Sequence, residues 1–191
     1  MSLTGHHAVV TGAGSGIGRA TAERLAEAGC QVTLIGRHVA RLTETADRIG
    51  DLAFSAPADV TDPDMLAAAI EVGRDRFGPI DILVNNAGAA SSAPFLKTTA
   101  DDLRAMLALN LEAPAEAARL VLPGMLTRRW GRIVNVASTA GLKGYAYVSA
   151  YVAAKHGLVG LTRALALEVA TQGITANAVC PGFTATDPVA R

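Results

Sequence analysis

The chain has 191 residues, half of them apolar and 18% charged, with 17 basic against 17 acidic side chains and a formal net charge of zero. That length suits one domain, 1–191, and the scattered, balanced charges exclude both a basic stripe for nucleic acid and an acidic disordered tail, so a small molecule is the expected partner. No apolar run reaches membrane-spanning length and the opening "MSLTGHH" lacks the basic-then-apolar order of a signal peptide, so a cytoplasmic protein is expected.

In chain order, six short aliphatic runs read as strands: 7–11, 31–36, 52–56, 80–87, 132–138 and 174–180. The intervals 16–29, 39–50, 62–78, 99–130 and 149–173 are mostly helical. Strands of nearly continuous hydrophobicity are buried on both faces, and right-handed helical crossovers make their sheet parallel. The expected architecture is a doubly wound α/β sheet of Rossmann type, with six strands in the order 3-2-1-4-5-6. Pro114 should interrupt or kink the helix that starts near Asp101, and Gly29, Gly50, Gly78, Gly131 and Gly173 stand where helices should stop. Cys30 and Cys180 are far apart, which suits two reduced thiols, and His6 with His7 has no further ligand spacing, so no metal site is expected.

The first strand runs into "TGAGSGIG", where a glycine backbone can approach a pyrophosphate and the following helix N-terminus favours negative charge. A tight turn alone accounts for one glycine, not for four within seven residues. Gly12, Ser15, Gly16, Ile17 and Gly18 are therefore the expected dinucleotide contacts. The second strand ends in "LIGRH" without the acidic residue that would accept bonds from a ribose 2′-hydroxyl. Gly36 leaves room and Arg37 offers a planar cation suited to a 2′-phosphate, so NADP(H) is favoured over NAD(H). Asp59, with Val60, falls within reach of the adenine edge, although an aspartate there equally suits a turn or a cap ahead of Pro63.

Ligands of such sheets bind beyond the carboxyl ends of the strands, which is where Ser138 ends the fifth run. Tyr151 and Lys155, four apart, share one side of the next helix. Reducing a ketone requires a proton for the developing alkoxide, and a phenol beside a fixed positive charge is a suitable donor. Ser138 can hold the carbonyl, and Asn110 can position a water that passes protons toward Lys155.

These residues resemble the short-chain dehydrogenase/reductase family in its branch with TGxxxGxG, NNAG, an active-site Ser, YxxxK and PG motifs. They stand here as Thr11 to Gly18, Asn85 to Gly88, Ser138, Tyr151 to Lys155, and Pro181 with Gly182. The resemblance implies a catalytic tetrad of Asn110, Ser138, Tyr151 and Lys155, with Tyr151 and Lys155 also gripping the nicotinamide ribose. It further implies cofactor contacts at Asn86, Ala87, Gly88, Pro181, Gly182 and Thr186. Family members usually continue into a substrate-covering segment and a seventh strand, which this sequence lacks. The stretches "ASTAGLKG" and "ITANAVCPGF" look most like 3-oxoacyl reductases and polyketide ketoreductases. The implied reaction is NADPH-dependent reduction of a 3-oxoacyl thioester, on coenzyme A or a carrier protein. Oxidation of a secondary alcohol or sugar ranks second, and a non-catalytic dinucleotide-binding scaffold third. By the same resemblance, the Asn110 and Tyr151 helices pair copies into a homodimer or homotetramer. Arg128 and Arg129 could attract an acidic carrier or phosphates, although cations at a helix end are favourable there anyway.

Overall fold

The structure, a computed structural model, describes residues 2–184. Six strands form one parallel sheet: β1 (His7–Thr11), β2 (Gln31–Gly36), β3 (Ala53–Pro57), β4 (Ile82–Asn85), β5 (Gly131–Val136) and β6 (Ile174–Val179), in the order β3-β2-β1-β4-β5-β6. The helices are α1 (Gly16–Glu27), α2 (Val39–Ile49), α3 (Pro63–Phe77), α4 (Ala100–Leu107), α5 (Ala113–Arg128) and α6 (Ser149–Val169). The expected order of strands and their parallel direction are both observed.

Successive strand residues point to opposite faces, so the strands feed two cores. Val9, Ile35, Leu83 and Ile133 pack with Leu66 and Ile70 of α3 and Val121 and Met125 of α5. Ala8, Val10, Leu34 and Val84 turn the other way, onto Ala22 of α1 and Leu42 of α2. Burial on both faces holds for β1 and β4, whose residues are all buried. It fails for β5, where burial alternates, and for β6, where exposed positions interleave. Val134 and Val136 face the side on which, among the described residues, only partial cover is present.

The helical interval from Thr99 to Trp130 departs from expectation in two places. Thr99 opens α4 with a reciprocal capping box to Asp102. The chain then widens into a π turn, Ala108–Glu112, before α5 begins. Pro114 lies in the first turn of α5, where a missing N–H is tolerated, and the break falls ahead of it as that widened turn. Gly131 does not stop the helix. Arg129 does so in a left-handed conformation, φ 52°, and Gly131 opens β5, where an added Cβ would lie 2.5 Å from Met125 Sδ.

Candidate active site

The turn after β1 is shaped by two left-handed glycines, Gly12 at φ 66° and Gly16 at φ 53°. Ser15 precedes α1 in an extended conformation and its side chain does not cap the helix, so the N–H groups of that first turn have no side-chain acceptor there. The turn is stitched to the end of β4. Asn86 Nδ2 donates to the carbonyls of Thr11 (3.0 Å) and Gly12 (3.2 Å). Thr11 Oγ1 accepts from the N–H groups of Asn86 and Ala87, both at 3.0 Å. Gly18 differs from the other glycines: it lines no cleft, and an added Cβ would overlap Gly12 O and Asn86 Nδ2. A side chain at Gly18 would thus break the packing of the helix start on the turn.

A cleft of about 430 Å³ opens over this turn, lined among others by Gly12, Ser15, Gly16, Ile17, Val60 and Ala87. Arg37 and Asp59 line it too, with Arg37 Nη1 3.8 Å from Asp59 Oδ2. Asp59 Oδ1 accepts from Thr61 N (3.0 Å) and Thr61 Oγ1 (2.8 Å), so it closes a turn, and those bonds hold its carboxyl below the usual carboxylate range. The cap ahead of Pro63 is Asp62, which accepts from Asp64 N and Met65 N. His38 and Arg41 also line the cleft and were not singled out from sequence.

A second cleft, about 250 Å³, shares Ile17, Asn86, Gly88 and Ala89 with the first. Ser138, Tyr151, Lys155, Pro181, Gly182 and Thr184 line it; Thr184 was not anticipated. The Lys155 side chain is buried, with Nζ donating to Val136 O at 2.8 Å and lying 5.7 Å from the Tyr151 ring centroid. Burial pushes its pKa down to about 8. Ser138 caps a single 3₁₀ turn, accepting from Ala140 N at 3.1 Å, which leaves its hydroxyl hydrogen to donate elsewhere.

Asn110 lies in the π turn, fully buried, and lines neither cleft. Its Nδ2 donates to Ala89 O (3.0 Å) and Met106 O (3.1 Å), while its Oδ1 has no hydrogen-bond partner. Gly88 separates it from the lysine: a Cβ there would sit 2.8 Å from Asn110 Oδ1 and 3.5 Å from Lys155 Nζ. The other two tyrosines, Tyr145 and Tyr147, are not among the residues lining either cleft. Tyr145 Oη donates to Thr139 Oγ1 at 2.9 Å with Lys143 over its ring, and Tyr147 is exposed. Thr186 falls outside the described residues.

The sequence matches a family model described as short chain dehydrogenase across residues 6–191. The chain belongs to the short-chain dehydrogenase family. It is 40% identical over 189 residues to a D-beta-hydroxybutyrate dehydrogenase of Rhizobium meliloti, covering 96% of this chain and 73% of that one. It is 39% identical over 187 residues to a 3-oxoacyl-acyl-carrier-protein reductase of Vibrio cholerae, covering 98% and 77%. A crystal structure of a substituted actinorhodin polyketide ketoreductase with NADPH superposes at TM-score 0.93 and 38% identity, over all of this chain and 75% of that one.

As a short-chain dehydrogenase the protein is an oxidoreductase that uses a nicotinamide dinucleotide. The residues present fit that group: two left-handed glycines and an uncapped helix start line the first cleft, and the second, which shares four residues with it, carries the phenol and the buried lysine. Arg128 and Arg129 do not belong to this site. Arg128 Nη2 donates to Ile80 O (2.6 Å) and Arg129 Nη2 to Thr171 O (3.1 Å), both just ahead of strands, at the opposite end of the sheet from Ser138. No helix among the described residues is long and apolar enough to cross a membrane, and no group of three metal-ligating side chains is found among them.

Proposed function

We propose that the protein is an NADPH-dependent reductase that converts a 3-oxoacyl thioester into its 3-hydroxy form. The observation that carries this reading is the placement of Ser138, Tyr151 and Lys155 on one cleft that shares four residues with the cleft of the glycine turn. A bound reduced nicotinamide supplies the hydride to the carbonyl carbon. The chain's own groups handle the oxygen. Ser138 donates a hydrogen bond to it, and Tyr151 gives it a proton. The Lys155 ammonium stabilises the phenolate left behind, and burial strengthens that attraction by lowering the local dielectric. Asn110 Oδ1, unpartnered behind Gly88, is placed to hold a water that passes a proton toward Lys155, from which the Tyr151 phenolate is reprotonated.

Arg37, at the cleft end where a 2′-phosphate would lie, supports NADPH as the partner, with Arg41 beside it. Pro181, Gly182 and Thr186 complete the nicotinamide side in this reading. The substrate class is supported by the Vibrio cholerae reductase and the actinorhodin ketoreductase among the relatives. Dehydrogenation of a 3-hydroxy acid with NAD is the second reading, favoured by the Rhizobium meliloti relative. Copies are expected to pair through α6, whose outer face is exposed at Ala153, Gly160, Ala164 and Leu167. Steady-state assays separate the readings. Turnover of acetoacetyl-CoA with NADPH in clear excess over NADH is expected; brisk oxidation of D-3-hydroxybutyrate with NAD, and none of the former, would replace it with the second.

A further inference from the structure

Arg19, in the first turn of α1, takes no part in the chemistry above, yet its side chain is only 13% exposed. Its Nη2 donates to Gly14 O at 2.8 Å. The same guanidinium grips the Glu44 carboxylate of α2 with both nitrogens, Nη1 to Oε1 at 3.0 Å and Nη2 to Oε2 at 3.1 Å. Glu44 is steadied in turn by Arg48, at 2.8 Å. Arg19 Nε is buried without a partner. A buried Nε with an unmet N–H is not what packing alone would select, since an unmet buried donor is costly.

Of the three residues between the two left-handed glycines, Gly14 and Ser15 line the cleft. In a planar trans peptide the C=O and the next N–H point in opposite directions. A Gly14 carbonyl held by Arg19 is therefore kept from turning its negative end toward a phosphate, and the N–H of Ser15 lies on the other edge of the same plane. We propose that Arg19, braced by Glu44, is a positioning residue that holds the Gly14–Ser15 peptide with its carbonyl away from the anion site, so that the glycine turn presents donors alone to the dinucleotide. This rests on the nucleotide-binding reading above. The brace also links the turn to α2, the helix that carries Arg41.

The test is a binding titration of the full chain with NADPH and with NADH, followed by the quenching of Trp130 or by nucleotide fluorescence, alongside hydrogen exchange of residues 12–18 without nucleotide. Arg19→Met is expected to weaken both nucleotides alike, by about ten-fold, the equivalent of about 1.4 kcal/mol. Exchange in 12–18 should quicken with the sheet unchanged. The cofactor KM should rise while kcat moves less than about two-fold, a split that a general loss of fold would not produce. Arg19→Lys keeps one donor for Gly14 O and should recover part of the affinity, and it serves where the methionine variant folds poorly. Wild-type affinity in both variants would overturn the inference and leave the proposed function standing. So would weakening confined to NADPH, which would assign Arg19 to the 2′-phosphate. A wild-type chain that binds neither nucleotide would instead remove the function and this inference with it.

Discussion

Replacing Lys155 with methionine should stabilise the protein while disabling it. The lysine is buried, and its pKa falls from 10.5 to about 8, burial being the main cause. At about 1.4 kcal/mol per pH unit, that gap puts ~3 kcal/mol of penalty on keeping the charge folded at neutral pH. Methionine removes the penalty but takes the donor away from Val136 O, returning about 1–2 kcal/mol. The net expectation at pH 7 is a gain of about 1–2 kcal/mol, or a few degrees in Tm. The sign follows from proton counting. Below pH 8 the lysine is charged in both states and the penalty is complete. Between about 8 and 10.5 the folded chain has released a proton that the unfolded chain still holds, so wild-type stability climbs relative to the variant. Above 10.5 the ordering should reverse, because only the lost bond to Val136 remains. Urea unfolding of both proteins at pH 6, 7, 9 and 10.5 measures this directly. A variant less stable than wild type at pH 7, or a difference that ignores pH, would refute the reasoning. Turnover in the same variant should fall by about 10²–10⁴.

Other consequences are sharper in readout. Tyr151→Phe should leave unfolding unchanged and lower kcat by at least ~10², since the ring's packing survives without its proton; unaltered turnover would end the proposed mechanism. The kcat/KM of the wild type should decline above about pH 8, where the free enzyme loses the Lys155 charge, as a pH profile would record. Gly18→Ala would gain ~1 kcal/mol of helix propensity, but its Cβ overlaps Gly12 O and Asn86 Nδ2, and overlap with backbone wins. Both Tm and nucleotide affinity should drop. His7 is buried, with Nδ1 on Gly78 O and Nε2 on Thr33 Oγ1, and burial lowers its pKa from 6.5 although Asp81 pulls the other way. The unfolded chain takes up that proton first, so stability should be lost as pH falls from about 6.5, and His7→Gln should flatten that limb in acid titrations.

The glycine turn after β1 was legible because its requirements are local. Gly12 and Gly16 need left-handed backbone within one turn, and one turn is what a sequence displays. The same window does not show the packing constraint on Gly18, part of which comes from Asn86 at the exit of β4. Asn85 shows the limit more fully. Its Nδ2 donates to Asn135 Oδ1 (2.9 Å) and to Pro114 O (3.1 Å), and Asn135 Nδ2 reaches Thr162 Oγ1 (2.8 Å). That chain depends on β4 and β5 being in register at Asn85 and Asn135, and no periodicity within either strand announces it. Its members are all nearly fully buried, so its bonds must be complete to be tolerated.

One departure from regular structure lies behind Gly88, which lines both clefts. Pro114 signalled a break in the long helix, but the break takes the form of a π turn whose wider backbone carries Asn110 inward. That turn leaves Asn110 Oδ1 unpartnered within the protein, next to a lysine held against its solvation preference. Each feature lowers stability, and each is aimed at the space around Gly88. Local rules fail here because the protein forgoes stability to keep a charge and an unpartnered acceptor buried on either side of Gly88.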